Sequence, residues 1–158
     1  MVVLNDELTR HSQFFEGLDA AAIELVSGIF VEKKLAAGMT VFIENMPGES
    51  LYVVVEGTIR LTRMLAEGDE RTLAVLGAGD FFGEMAVIEG ACRAVTARVL
   101  EDAQLLVMTR ESFQELSTQY PEVGILIMKN IMKLFSRRLR QNSDEYREMM
   151  LFALASVE

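Results

Sequence analysis

The spacing of apolar positions changes twice along the chain. Residues 5–30, NDELTRHSQFFEGLDAAAIELVSGIF, place Leu8, Phe14, Phe15, Leu18, Ala22, Leu25, Val26 and Ile29 at helical intervals. This predicts two short helices with a break at Gly17, and Asp19 is positioned to cap the second, from Ala20. From about 35 to 109, glycines at 38, 48, 57, 68, 77, 79 and 90 separate short runs rich in Val, Ile, Leu, Thr and Phe. These runs are TVFI, LYVVVEG, TIRLTRML, RTLAVLG, AVTARVL and AQLLVMT, and TIRLTRML alternates apolar with polar as a one-faced strand does. NMPGES and AEGDE supply the turn chemistry, proline to fix φ and glycine to accept positive φ. Short strands with a turn every 8–12 residues predict an all-β sandwich or barrel. After MTRESF the period is helical again: a short helix starts around Ser112, and Pro121 opens another that nothing interrupts.

Within that last helix, steps of three and four from Ile125 reach Met128, Met132, Phe135, Leu139, Asn142, Tyr146, Met149 and Ala153. The seam is apolar except at Asn142, and it is longer than a small β domain can cover. A parallel homodimer through residues 125–153 is the expectation; packing of the whole seam on its own β domain is the alternative. One domain over 1–158 results, with N-terminal helices in 1–34, a β-roll in 35–110 and C-terminal helices in 111–155.

Composition narrows the function. Apolar residues make up 51% of the chain, enough for a proper core. A net charge of −9 argues against nucleic-acid binding, which rests on phosphate neutralisation, and the one basic run, SRRLR at 136–140, reads as a solvated helix flank. The single cysteine, Cys92, excludes an internal disulfide or a cysteine cluster and suggests a reducing cytoplasm; in its setting it reads as a small spacer. The single histidine, His11, excludes a multi-histidine metal centre, and the ten methionines read as core and seam filler. No membrane span or signal sequence is evident. Nothing assembles a nucleophile with a base or a metal, so no enzyme and no cofactor is expected.

One stretch holds candidate chemistry. GDFFGEMAVIEGACRAVTARV, 79–99, is mostly apolar yet contains Glu84 and, nine residues on, Arg93. A buried charge needs a partner or a ligand. One reading is a Glu84–Arg93 salt bridge closing a loop. The other is a nucleotide monophosphate site: Gly83 permits close approach, EMAVIEG makes one helical turn with free N–H groups, and Arg93 enters a strand beside them among small neighbours. The carboxylate would then accept from a ribose hydroxyl.

FGEMAVIEGACRAVT, 82–96, resembles without a gap the phosphate-binding cassette of cyclic nucleotide-binding domains. GMTVFIENMPGESLYVVVEGTIRL, 38–61, and GAGDFFGE, 77–84, resemble that family's flanking segments. The resemblance implies an α+β fold, an antiparallel jelly-roll barrel with N-terminal helices and a long C-terminal helix from about 121. It implies that Arg93 and the backbone N–H groups of Ala94 and Met85 hold a cyclic phosphate. Glu84 would accept from the ribose 2′-OH and Gly83 would sit against the sugar. Leu61 and Leu73 fall where the family presents an apolar wall to the base. In the catabolite activator type, RRLRQNSDE places Arg138 at the family's arginine, and Asn142 and Ser143 at the pair that caps the base.

The resemblance also implies that Ala94, the residue after the cassette arginine, favours cAMP over cGMP as the ligand. The expected function is a non-catalytic receptor in signal transduction, relaying ligand state through the last helix to an unknown protein effector. No helix-turn-helix is expected from the residues after the seam, LFALASVE, which are too short to form one. Two alternatives stand: a ligand-independent jelly-roll interaction module, and the sensor half of a larger transcription regulator.

Overall fold

In a computed structural model that describes residues 4–66 and 68–155, three α-helical or 3-10 segments precede the sheet. Helix α1 (Asp6–His11) starts where the Asn5 side chain accepts from the Leu8 N–H at 2.6 Å. A 3-10 turn (Gln13–Phe15) follows, then Gly17 at φ +78°, then α2 (Ala20–Ile29). Asp19 caps α2 by accepting from the Ala22 N–H at 2.8 Å. The sheet begins earlier than the glycine spacing indicated: β1 (Val31–Leu35) lies almost wholly inside the segment read as N-terminal helices.

Five more strands follow: β2 (Thr40–Phe42), β3 (Ser50–Ala66), β4 (Asp69–Leu76), β5 (Phe81–Phe82) and β6 (Thr96–Thr109). They pair antiparallel in the order β1-β6-β3-β4, with β2 also on β6 and β5 on β3. The result is an antiparallel jelly roll flanked by helices, an α+β fold.

LYVVVEG and TIRLTRML, read as two strands, are one bent strand, β3, as AVTARVL and AQLLVMT are in β6. Gly57 makes the corner rather than a chain reversal. Its φ is +88°, and a Cβ there would stand 2.2 Å from the Asp102 carbonyl oxygen on β6. The β3–β6 register shifts on both sides of it, between Val54 and Glu56 and again up to Ile59. A glycine at a bulge bends both paired strands together, closing the roll without breaking the ladder.

Both faces of β3 are buried at its start, which explains the unbroken apolar run LYVVV. Leu51 and Val53 pack under the helices with Phe14, Phe15, Val26, Phe81 and Met108. Tyr52 and Val54 point into the roll with Ile59, Leu61, Phe82, Ala97 and Leu105. The period-2 alternation thus serves two cores from one strand.

Helix α4 (Arg110–Gln119) starts two residues before Ser112, capped by the Thr109 hydroxyl, which accepts from the Ser112 N–H. Helix α5 (Pro121–Ala155) packs on the body through Val123, Ile127 and Ile131, all buried. Burying each of these stabilises the packing by about 1.5–3 kcal/mol relative to exposure. Asn130, fully buried between them, donates to the Phe14 carbonyl (3.0 Å) and the Glu16 carbonyl (2.8 Å). The row that packs therefore lies beside the seam picked out by spacing. Of the seam, Met128 and Phe135 touch the core, whereas Ile125 (56% exposed), Met132 (60%) and Leu139 (72%) face outward. Asn142 is exposed, and the side chains of Tyr146, Met149 and Ala153 lie outside the described residues.

Candidate functional site

The site is built where β5 turns into a short helix, α3 (Glu84–Ile88). Gly83 forms the junction at φ +79°, a left-handed conformation that side chains disfavour. A Cβ there would also lie 2.8 Å from Arg93 Nη1 and 2.9 Å from the Ser50 carbonyl oxygen, so two separate constraints demand glycine. Glu84, only 4% exposed, occupies the first position of α3, where a negative charge meets unpaired N–H groups.

The partner of Glu84 is not Arg93. Arg138, reaching from α5, donates through Nη1 to Glu84 Oε1 at 3.0 Å and through Nη2 to the Phe81 carbonyl at 3.2 Å. Among the described residues, no ion pair within 4.0 Å joins Glu84 to Arg93. The salt-bridge reading drawn from spacing is overturned, because the acid is satisfied from across the fold.

Arg93 lies in the loop between α3 and β6, three residues before the strand begins at Thr96, and not within a strand as the spacing suggested. Its backbone is clamped on both sides. The Arg93 N–H donates to the Met46 carbonyl (2.9 Å), and the Asn45 N–H donates to the Arg93 carbonyl (2.8 Å). The side chain is 6% exposed, with Nη1 donating to the Ser50 carbonyl (2.8 Å) and the Gly83 carbonyl (3.3 Å). Its Cζ stands 4.1 Å from the Phe42 ring centroid and 5.7 Å from that of Tyr52. Gly48 makes room for it, since a Cβ there would come 2.2 Å from Arg93 Nε. That Nε has no hydrogen-bond partner among the described residues.

Burial pushes the Arg93 guanidinium below its ordinary value, and the nearby Tyr52 and Glu84 push the other way. An arginine in a protein nevertheless stays protonated. It is thus a buried cation held by two carbonyls and a ring, with no carboxylate within ion-pair distance among the described residues. Such a charge is incompletely compensated, and an anion is what would complete it.

Arg93 and Glu84 line one cavity of about 720 Å³. Gly83, Met85, Ala94, Leu61 and Leu73 line it as well, and α5 contributes Arg138 and Asn142 on the opposite side. Ser143 is exposed and does not line the cavity. A second depression, of about 1230 Å³, runs along α5 past Ile125 and Met132 and contains neither Glu84 nor Arg93. Sequence reasoning missed Phe42 and Gly48, and it assigned Arg138 a place but not its contact with Glu84. Among the described residues there is no group of three or more His, Cys, Asp or Glu side chains placed to hold a metal.

Residues 32–120 match the family described as the cyclic nucleotide-binding domain. The chain belongs to that family. It is 35% identical over 132 residues to the cyclic AMP receptor protein of Thermus thermophilus, covering 84% of this chain and 59% of that protein. The crystal structure of the Thermus thermophilus catabolite activator protein superposes with a TM-score of 0.78 at 34% identity, over 87% of this chain and 63% of that one. The regulatory domain of Toxoplasma gondii protein kinase A, co-crystallised with cAMP, superposes with a TM-score of 0.63 at 33% identity, over 69% of this chain and 41% of that one. This cyclic nucleotide-binding domain is similar to those of both proteins. It spans about three fifths of the receptor it matches.

Proposed function

We propose that the chain is a receptor for a cyclic nucleotide, with cAMP preferred to cGMP. The observation that carries this is Arg93: a nine-tenths buried guanidinium, lining a nucleotide-sized cavity, with no carboxylate paired to it. A cyclic phosphate supplies the missing negative charge, and the N–H groups of Met85 and Ala94 complete the cradle. The ribose 2′-OH donates to Glu84 and the sugar rests against Gly83. The base lies along Leu61 and Leu73 towards Asn142, with Ala94 favouring adenine. Ser143 sits one position further along α5 and approaches the base only if the helix moves.

The site is tied to the helix that would report its state. Glu84 is held by Arg138 of α5, so a ribose hydroxyl arriving at that carboxylate must share it with, or take it from, the helix. A ligand shifts an equilibrium only by contacts that differ between the two states, and this shared carboxylate is such a contact. Two copies pairing through the outward stripe of α5 would carry the movement to an effector protein in the cytoplasm.

The reading is tested by titrating nucleotide-free protein with cAMP, cGMP and 2′-deoxy-cAMP while following amide exchange along α5. cAMP binds tightest, and loss of a hydrogen bond to a charged acceptor weakens the deoxy analogue by about 1.5–3 kcal/mol. Exchange around Arg138 changes only when a ligand with a 2′-OH is bound. Equal affinities for cAMP and its deoxy analogue would remove Glu84 from the site.

A further inference from the structure

The loop between β2 and β3 grips the backbone of Arg93 from outside the cavity. Asn45 and Met46 make the two backbone hydrogen bonds to Arg93, and neither they nor Glu44 line the cavity. Arg93 lies in a loop itself, so these two bonds do what a strand ladder would otherwise do for its backbone. Among the described residues, Asn45 is the only non-glycine at positive φ, +66°, a conformation that persists where the surrounding structure holds it. Glu44 supplies that hold. Its N–H donates to Oγ1 of the buried Thr96 at 3.0 Å, and its Oε2 accepts from the Met64 N–H at 3.0 Å. Strand β3 runs on past its last pairing with β6, Thr62 with Thr96, and the Met64 N–H lies beyond it. There the Glu44 carboxylate stands in for a strand carbonyl. Arg63 Nε is also 3.6 Å from Glu44 Oε1, but Arg63 is mostly exposed and such a pair contributes little.

We propose that Glu44 is a positioning residue for phosphate binding: it stitches the loop that grips Arg93 to the β3–β4 hairpin, and so fixes where the guanidinium stands. The proposal rests on the cyclic-nucleotide reading of the cavity. The path is short, from the Met64 N–H to the Glu44 carboxylate, then along the backbone of Asn45 and Met46 to Arg93. A binding group is worth most when its own supports lock it in the productive place, and a site loses affinity when that outer support is slack. What the hairpin needs from Glu44 is an oxygen acceptor for one N–H. A glutamine provides that oxygen and an alanine does not.

The experiment titrates cAMP into nucleotide-free wild type, Glu44→Ala and Glu44→Gln, and repeats the alanine change in an Arg93→Ala background, with urea midpoints to confirm that each variant is folded. Glu44→Ala lowers cAMP affinity by about tenfold, as loss of an outer-shell partner does for a metal ligand. Glu44→Gln keeps the affinity of the wild type. In the Arg93→Ala background the alanine change costs nothing further, because the group it positions is gone. Equal affinities of wild type and Glu44→Ala overturn the proposal, and so does a glutamine variant as weak as the alanine one. A loss that is the same with and without Arg93 also overturns it, since a merely structural contribution adds to the loss of the arginine. If Glu44→Ala does not fold, Thr96→Val releases the loop at its other anchor, and its affinities with and without Arg93 decide in the same way. Wild type that binds neither cAMP nor cGMP removes the functional reading and this one with it, and that result is seen before any variant is compared.

Discussion

At the scale of single residues, the arginine of the cavity is held in place by neutral partners alone. Ser50 and Gly83 fix one nitrogen through their carbonyls, Phe42 supports the guanidinium plane, and Gly48 leaves the space behind it. Phe42→Leu keeps an apolar side chain while removing the ring face. A desolvated cation–π contact contributes about 1–2 kcal/mol, so cAMP affinity should fall roughly five- to thirtyfold with little change in melting temperature. A loss of folded structure without a loss of affinity in the remaining folded protein would show that Phe42 only packs. Glu84, Gly83 and Arg93 were legible in the sequence because the cassette brings them together within eleven residues. Phe42 and the contact of Arg138 with Glu84 were not, because each side chain meets its partner from a distant segment, Arg138 from 54 positions away. Nothing local distinguishes Phe42 from any other strand residue of TVFI.

At the scale of elements, the long strands and the last helix show where spacing was informative and where it misled. Period-2 runs identified the strands of the roll, but the glycine at 57 read as a turn because a corner within a bent strand needs the same positive φ. Only the opposing backbone at Asp102 and Ala103 tells the two apart. The helix seam is split between two faces. Heptad spacing picked out the outward residues Ile125, Met132 and Leu139 together with Met128 and Phe135, which touch the core, whereas the row that binds the body is centred on Asn130, a polar residue that no apolar pattern would select. Its two donated hydrogen bonds satisfy carbonyls of the N-terminal segment and fasten α5 to the 3-10 turn and Glu16. Asn130→Ala leaves the Phe14 carbonyl buried and unpaired and opens a small cavity. The expected cost is about 1–3 kcal/mol of folding stability, read as a lower midpoint in urea at unchanged slope. No shift in the midpoint would mean that water takes over both bonds.

At the scale of the whole molecule, Ile125, Met132 and Leu139 repeat at seven-residue intervals along α5 and are each more than half exposed. Three outward apolar residues in heptad register are what a second helix would cover. Sedimentation at micromolar concentration should give a dimer. Met132→Glu, which places a charge in that stripe away from the ligand cavity, should weaken the dimer by tenfold or more while leaving the fold intact. A monomeric wild-type protein would remove the helix pair from the account. In that arrangement α5 carries both the apolar stripe and, through Arg138, the hold on Glu84, so one rigid element joins the cavity to the interface. The central claim is that the uncompensated Arg93 receives a cyclic phosphate. Parallel calorimetric titrations of nucleotide-free wild type and Arg93→Ala with cAMP test it most directly. The account predicts saturable binding to the wild type and a loss of about 2–5 kcal/mol in the variant; equal affinities, or no heat from either protein, would contradict it.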